Sequence, residues 1–313
     1  MNKSARIFIA GHTGLIGSAL MRRLTEDGFS NLITVSHDSL DLTNFSAVDD
    51  FFQKNSPEYV VLAAGKVGGI IENQNHPAKF ISQNLAIQQS TMCAADKFGV
   101  RKFIFLGSSC MYPRICAQPM SEGLLLTGVP ESTSMAYAIS KLAGLQACLA
   151  FNQERGKKYF IPLIPNSAYG PNDNFDPMSG HVLSALIRRF HEAKLQNLHE
   201  ISLWGTGNPR REFVHADDIA SACLLLMTES IENLELPLNL GSGCDFSIRE
   251  LADITRAVVG FDGDVNWDTS KPDGAPRKLL DSKRMFDFGW RSKVSLEHGI
   301  RDTYAWFKKN KAS

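Results

Sequence analysis

Short continuous apolar runs alternate along the first half of the chain with longer stretches whose apolar positions recur every third or fourth residue. The runs are "RIFIAG" (6–11), "LITV" (32–35), "YVVLAA" (59–64), "KFIFLG" (102–107) and "YFIPLI" (159–164). Runs of this kind, bounded by turn residues, are the pattern of strands covered on both faces. Between them, "LIGSALMRRLTEDG" (15–28), "SAVDDFFQKN" (46–55), "PAKFISQNLAIQQSTMCAADKFG" (77–99) and "SMAYAISKLAGLQACLAFNQERG" (134–156) have helical spacing. The first closes on Gly28, a helix C-terminal signal. Strands alternating with helices predict an α/β fold built on a doubly wound parallel sheet.

The second half is less regular. Residues 166–212 are rich in Asn, Asp, Pro and Gly, with one clear helix at "HVLSALIRRFHEAK" (181–194). "DDIASACLLLMTE" (217–229) starts on an Asp N-cap and reads as a helix. "LNLGSG" (238–243) predicts one more strand and "SIRELADITRAVVG" (247–260) one more helix. The pattern suits two interleaved lobes. Residues 1–165 form the first, residues 166–313 mainly the second, smaller one, and the chain near 213–241 returns to the first.

The chain has 313 residues, 43% hydrophobic and 21% charged, which are ordinary globular values. Its 33 basic side chains balance 33 acidic ones. That balance argues against a broad electrostatic footprint for nucleic acid or a membrane surface. An anionic ligand would need a local cluster of arginines or backbone amides. The N-terminus "MNKSARIFIAG" runs straight into a strand pattern, with no secretory leader, and no apolar stretch is long enough to span a bilayer. A soluble cytoplasmic protein is expected. Its six cysteines are Cys93, Cys110, Cys116, Cys148, Cys223 and Cys244. None has the spacing of a zinc site or redox pair, so thiols and no metal are expected.

Chemistry enters with "GHTGLIG", where Gly11, Gly14 and Gly17 lie between the first strand and the first helix. Glycines there let the backbone turn tightly and approach a pyrophosphate seated on the helix N-terminus. The end of the second strand sets the ribose preference: an acidic residue suits NAD and a basic one NADP. Ser36, His37 and Asp38 occupy it, so both cofactors stay open. "YAISK" places Tyr137 and Lys141 one helical turn apart. An ammonium beside a phenol lowers its pKa, so that the phenol passes a proton to a carbonyl oxygen as hydride reaches the carbon. Ser108 or Ser109 of "GSSCMYP" would hydrogen-bond the same oxygen.

Together the glycine turn, "GSSCMYP", "YAISK", "YGPNDNFDP", "RREFVHADD", "AAGKVGGI" and "SKPDGAPRKLLD" resemble the extended short-chain dehydrogenases/reductases. More narrowly, they resemble the branch that epimerises C3 and C5 and reduces C4 of GDP-4-keto-6-deoxymannose to give GDP-L-fucose. The resemblance implies a Rossmann-like lobe, a smaller substrate lobe, NADP(H) and a homodimer. By motif it makes Ser108, Tyr137 and Lys141 the reduction triad, and Cys110 and His181 the epimerisation pair. The cofactor would meet Gly11, Thr13, Gly14, Leu15, Ile16, Gly17, His37, Leu106, Gly107, Ser108, Lys141, Ile164, Ser167 and His181. The GDP-sugar would meet Val182, Leu186, Arg189, Trp204, Arg211 and Asp281. His37 and Thr13 stand where the family carries basic residues, which leaves NAD(H) as the alternative. Ser167, "GVPESTSMAY" (128–137) and "MSGHV" (178–182) also depart from the family pattern. These departures point to a sister enzyme of the GDP-colitose or GDP-6-deoxyheptose pathway as the rival reading.

Overall fold

The computed structural model describes residues 1–176, 180–271 and 273–311. In chain order, β1 (Ile7–Ala10), α1 (Leu15–Glu26), β2 (Leu32–Ile33), α2 (Phe45–Asn55), β3 (Tyr59–Leu62), α3 (Ile70–Asn75) and α4 (Pro77–Lys97) come first. They are followed by β4 (Lys102–Leu106), α5 (Met135–Arg155), β5 (Phe160–Pro165), β6 (Ser167–Tyr169) and α6 (Val182–Leu195). Next come β7 (Glu200–Trp204), β8 (Arg210–His215), α7 (Ala216–Thr228), β9 (Leu238–Leu240), β10 (Asp245–Ser247) and α8 (Ile248–Val259). The chain closes with β11 (Asp264–Asp268), β12 (Arg277–Lys278), α9 (Lys283–Asp287) and α10 (Leu296–Asn310).

Six parallel strands form the central sheet in the order β2-β1-β3-β4-β5-β9. Its two faces are set by the period of two along each strand. Ile7, Ile9, Val61, Ile104 and Leu163 face α1 and α7, whereas Phe8, Val60, Phe103, Phe105 and Phe160 face α2, α4 and α5. β9 reaches this sheet from the second half of the chain, and α7 packs on α1. A third apolar cluster, including Phe190, Leu251 and Ile300, joins α6, α8 and α10 beside the smaller sheets. Those sheets are β10-β8-β12, with β6 also paired to β8, and the parallel pair β11-β7.

Differences from expectation have local causes. The second strand stops at Ile33 because only Leu32 and Ile33 pair with β1, after which the chain enters a turn over His37–Ser39. α7 is capped by His215, whose Nδ1 accepts the Asp217 amide, and Asp217 and Asp218 lie inside its first turn. "LNLGSG" pairs only over Leu238–Leu240. α8 has a capping box, Ser247 with Glu250, and ends on left-handed Gly260.

Candidate active site

The strand–turn–helix start of the chain is built around two glycines. Gly11 has φ +82°, and a Cβ there would fall 2.7 Å from the Ala64 nitrogen. A Cβ on Gly17 would fall 2.0 Å from the Gly11 carbonyl oxygen, so α1 can start this close to the turn only without a side chain. Thr13 and Gly14 are exposed, and α1 has no side-chain cap at Gly14. The first amides of α1, those of Leu15, Ile16 and Gly17, are therefore available to an anion. This cradle fits a dinucleotide pyrophosphate. His37 lies on the surface turn after β2. The Ile164 side chain is fully buried in the sheet core. Leu106 and Gly107 are also buried, and Ser167 opens β6.

After β4 the chain forms one 3₁₀ turn, Ser109–Met111, capped by Ser108. Ser108 Oγ accepts the Cys110 amide at 3.2 Å, which ties the serine to the residue carrying the thiol. Tyr137 and Lys141 follow in the first turns of α5. Lys141 is 5% exposed, donates to the Leu106 carbonyl at 2.9 Å and has its Nζ 5.8 Å from the Tyr137 ring centroid. Burial lowers its pKa to about 8. The expected lowering of the Tyr137 pKa is corrected: burial raises it, Cys110 adds to the rise, and the Ser108 hydroxyl only partly offsets both. The physical reason is that the Lys141 ammonium is directed at a carbonyl. Tyr137 is thus held as the neutral phenol, the form that donates a proton.

Cys110 is half-buried and free. Burial raises its thiol pKa, but the Lys278 ammonium, the Ser108 and Ser134 hydroxyls and His181 outweigh burial and bring it below its ordinary value. Lys278 Nζ stands 3.9 Å from the sulfur. β12 pairs with β8 so that Lys278 lies opposite Arg211, which puts both side chains on one face. Arg211 donates to the carbonyls of Arg210 at 2.8 Å and Ala275 at 2.6 Å. Burial lowers its pKa, opposed by Cys110, Asp273 and Glu131. Lys278 was absent from the residues expected on sequence grounds, although "SKPDGAPRKLLD" contains it.

His181 is the N-cap of α6, yet its side chain makes no capping bond. Its Nδ1 lies 3.5 Å from Oδ1 of buried Asp173. Asp173 raises the imidazole pKa, burial opposes this, and Cys110 adds to the rise. The thiol and imidazole are therefore tuned in opposite directions while each acts on the other. Asp173 is the second residue that the sequence reading missed as an individual. Of the stretch "MSGHV", Met178 and Ser179 lie outside the described residues.

The remaining candidates are spread over the second lobe. Val182, Leu186 and Arg189 lie on successive turns of α6; Leu186 turns into the core, whereas Val182 and Arg189 are exposed. Trp204, 59% exposed, ends β7 with the Lys271 ammonium 5.9 Å from its ring. Asp281 accepts the Lys283 amide at 3.0 Å and so helps to start α9. Elsewhere, His215, Asp217 and Asp302 bring ligand-type atoms within 4.8 Å of one another, a grouping that sequence spacing did not suggest. His215 is engaged there as the cap of α7, and Asp217 pairs with Arg22 at 2.6 Å. Asp302 reaches the group from the middle of α10, its Oδ2 3.7 Å from His215 Nε2.

Residues 7–241 match the NAD dependent epimerase/dehydratase family. Over 309 residues the chain is 50% identical to GDP-L-fucose synthase 1 of Arabidopsis thaliana, covering 99% of this chain and 95% of that protein. It is 46% identical over 312 residues to GDP-L-fucose synthase of Escherichia coli strain K12, covering 97% of each. Among solved structures, a GDP-mannoheptose C4 reductase from Campylobacter jejuni with NADP bound superposes with a TM-score of 0.90 at 35% identity. That match covers 98% of this chain and 99% of the reductase. On these full-length similarities, the chain belongs to the NAD dependent epimerase/dehydratase family, within the group of the GDP-L-fucose synthases.

Proposed function

We propose that this protein epimerises C3 and C5 of GDP-4-keto-6-deoxymannose and reduces C4 with NADPH, giving GDP-L-fucose. One observation carries the reading: the reduction serine and the epimerisation thiol share a single 3₁₀ turn, joined by the bond from the Cys110 amide to Ser108. The keto group at C4 acidifies the C–H bonds on both sides of it. Cys110, eased toward thiolate by Lys278, removes those protons, and His181 returns protons on the opposite face. Ser108 and Tyr137 hydrogen-bond the C4 oxygen, and Tyr137 gives it a proton as the carbon is reduced. NADPH, when bound, supplies the hydride. The Gly11–Gly17 turn with Thr13, Gly14, Leu15 and Ile16 would hold its pyrophosphate, Lys141 its nicotinamide side and His37 its phosphorylated ribose. Val182, Leu186, Arg189, Trp204, Arg211 and Asp281 would take the GDP moiety. This assigns the cofactor mainly to residues 1–165 and the nucleotide sugar mainly to residues 166–313, with 213–241 returning to the first lobe.

The likeness to a GDP-mannoheptose C4 reductase supports a second reading, reduction of another GDP-4-keto sugar with one centre epimerised or none. One assay separates them. The protein is incubated with GDP-4-keto-6-deoxymannose and NADPH or NADH in deuterated water, and the product is identified by mass and NMR. GDP-L-fucose with deuterium at C3 and C5 is expected. Reduction without deuterium at either carbon would overturn the epimerase assignment. Cys110→Ser should cut exchange far more than reduction of the pre-epimerised ketosugar, whereas Tyr137→Phe should do the reverse.

The protein is further read as a cytoplasmic homodimer. Leu85 on α4 and Ile139 on α5 are 39% and 41% exposed on two helices that pack together, which offers an apolar face for a second copy. Six free thiols suit a reducing compartment. Among the described residues, no helix is long and apolar enough to cross a membrane. A sedimentation mass of one chain would remove the dimer.

A further inference from the structure

Asp173 is a buried carboxylate with no part in the chemistry so far. It is 7% exposed and sits on the loop between β6 and α6. Its Oδ1 accepts the Asn174 amide at 2.8 Å and faces His181 Nδ1 at 3.5 Å. Its Oδ2 accepts the Ser184 hydroxyl. Ser184 lies in the first turn of α6, the helix that His181 caps. Both oxygens are therefore engaged, one by the loop and one by the helix that carries the imidazole. A carboxylate fixed in this way can fix what it touches.

The location makes such a partner necessary. A helix N-terminus carries roughly half a positive charge, which disfavours an imidazolium placed there. The His181 pKa nonetheless rises, and Asp173 is the leading cause. Two groups act on His181: Asp173 from the loop after β6 and Cys110 from the 3₁₀ turn. Lys278 and Arg211, from β12 and β8, act on Cys110 in turn.

We propose that Asp173 is the positioning residue for the epimerisation step: it holds the Nδ1–H of His181 and so leaves Nε2 as the atom that delivers the proton. The proposal rests on the reading of His181 as an epimerisation acid. A ring nitrogen bonded to a fixed carboxylate sets both the tautomer and the ring orientation. In the step, Cys110 takes the C–H proton, the electron pair passes into the enolate, and His181 Nε2 gives its proton to the opposite face of that carbon. Thiol and imidazole then exchange with water. Asp173 only holds the ring in place.

The test compares Asp173→Asn, Ser184→Ala and His181→Gln. Deuterium exchange at C3 and C5 is followed as a function of pH, with reduction of the pre-epimerised ketosugar measured separately. Histidine-labelled protein gives the tautomer and titration midpoint of His181 by NMR, its resonance assigned by its loss in His181→Gln. Asp173→Asn should slow exchange by about tenfold or more. It should also move the alkaline limb and the His181 midpoint down by about one pH unit or more, and slow reduction less. Ser184→Ala should shift the midpoint the same way by a smaller amount, and it carries the test where Asp173→Asn does not fold. An unchanged midpoint and tautomer in both variants would overturn the proposal. Wild-type exchange in His181→Gln would instead overturn the reading of His181, a separate outcome.

Discussion

A half-buried thiol titrates above its ordinary range when burial acts alone. Cys110 departs from that because an ammonium stands 3.9 Å from its sulfur, with two hydroxyls and an imidazole adding to it. Removing the Lys278 charge should reverse the sign. In Lys278→Met the Cys110 thiolate would form at higher pH, so alkylation at neutral pH should slow by about tenfold for each pH unit of the shift. Peptide-resolved mass spectrometry after a short iodoacetamide pulse separates Cys110 from the other thiols, and an unchanged midpoint would show that the hydroxyls and His181 suffice. The same residues show what was legible. Tyr137 and Lys141 were legible because a helix puts them one turn apart, and Cys110 only through the family resemblance that "GSSCMYP" carries. Lys278 lies 168 residues beyond Cys110 and reaches it only through the register of β12 on β8. Asp173 lies within "YGPNDNFDP", but nothing in its spacing links its carboxylate to His181. A pair assembled by sheet register or by a loop fold leaves no local pattern to read.

At the scale of elements, the strands of the central sheet were readable because they are apolar on both faces. β1, β3 and β5 are buried along their whole length. The smaller sheets hide better. β7 does alternate exposed and buried positions over Glu200–Trp204, but it is only five residues long and runs into the turn residues Gly205–Pro209. β12 is the dipeptide Arg277–Lys278, with no apolar residue to mark it. The glycine turn was readable because its constraint is steric. Gly17→Ala places a methyl 2.0 Å from the Gly11 carbonyl oxygen, which forces α1 away from the end of β1. Stability should fall by about 1–3 kcal/mol, as overpacking of a tight contact does. NADPH affinity should fall by about tenfold or more, since the helix amides no longer meet the pyrophosphate where the turn presents it. Urea melts and a fluorescence titration with NADPH read the two effects, and wild-type affinity would show that the turn is not the pyrophosphate cradle.

At the scale of the whole molecule, the site depends on holding β8 and β12 against the end of the central sheet. Glu212, fully buried on β8, does this with one carboxylate. Its Oε1 accepts the Gly243 amide at 2.7 Å. Its Oε2 accepts Asn166 Nδ2 at 2.6 Å and the Leu280 amide at 3.0 Å. The three donors come from the connection between β5 and β6, the turn between β9 and β10, and the segment after β12. Burial raises the Glu212 pKa, and the N–H bonds from Leu280, Asn166 and Gly243 oppose that rise. Glu212→Gln tests this with almost no change of shape. An amide group accepts through one oxygen and presents N–H on the other side, so at least one of the three donors would face another donor. That should cost about 1–3 kcal/mol, the penalty for an unsatisfied buried polar group. The loss should appear in urea melts. It should also appear as faster hydrogen exchange at the amides of Gly243 and Leu280, beyond the change in global stability. Because β12 also carries Lys278, Cys110 in this variant should form its thiolate at higher pH, although the substituted side chain is not Lys278 itself. If stability falls and Cys110 alkylates as in the wild type, the clasp supports the fold without setting the register that brings Lys278 to the thiol.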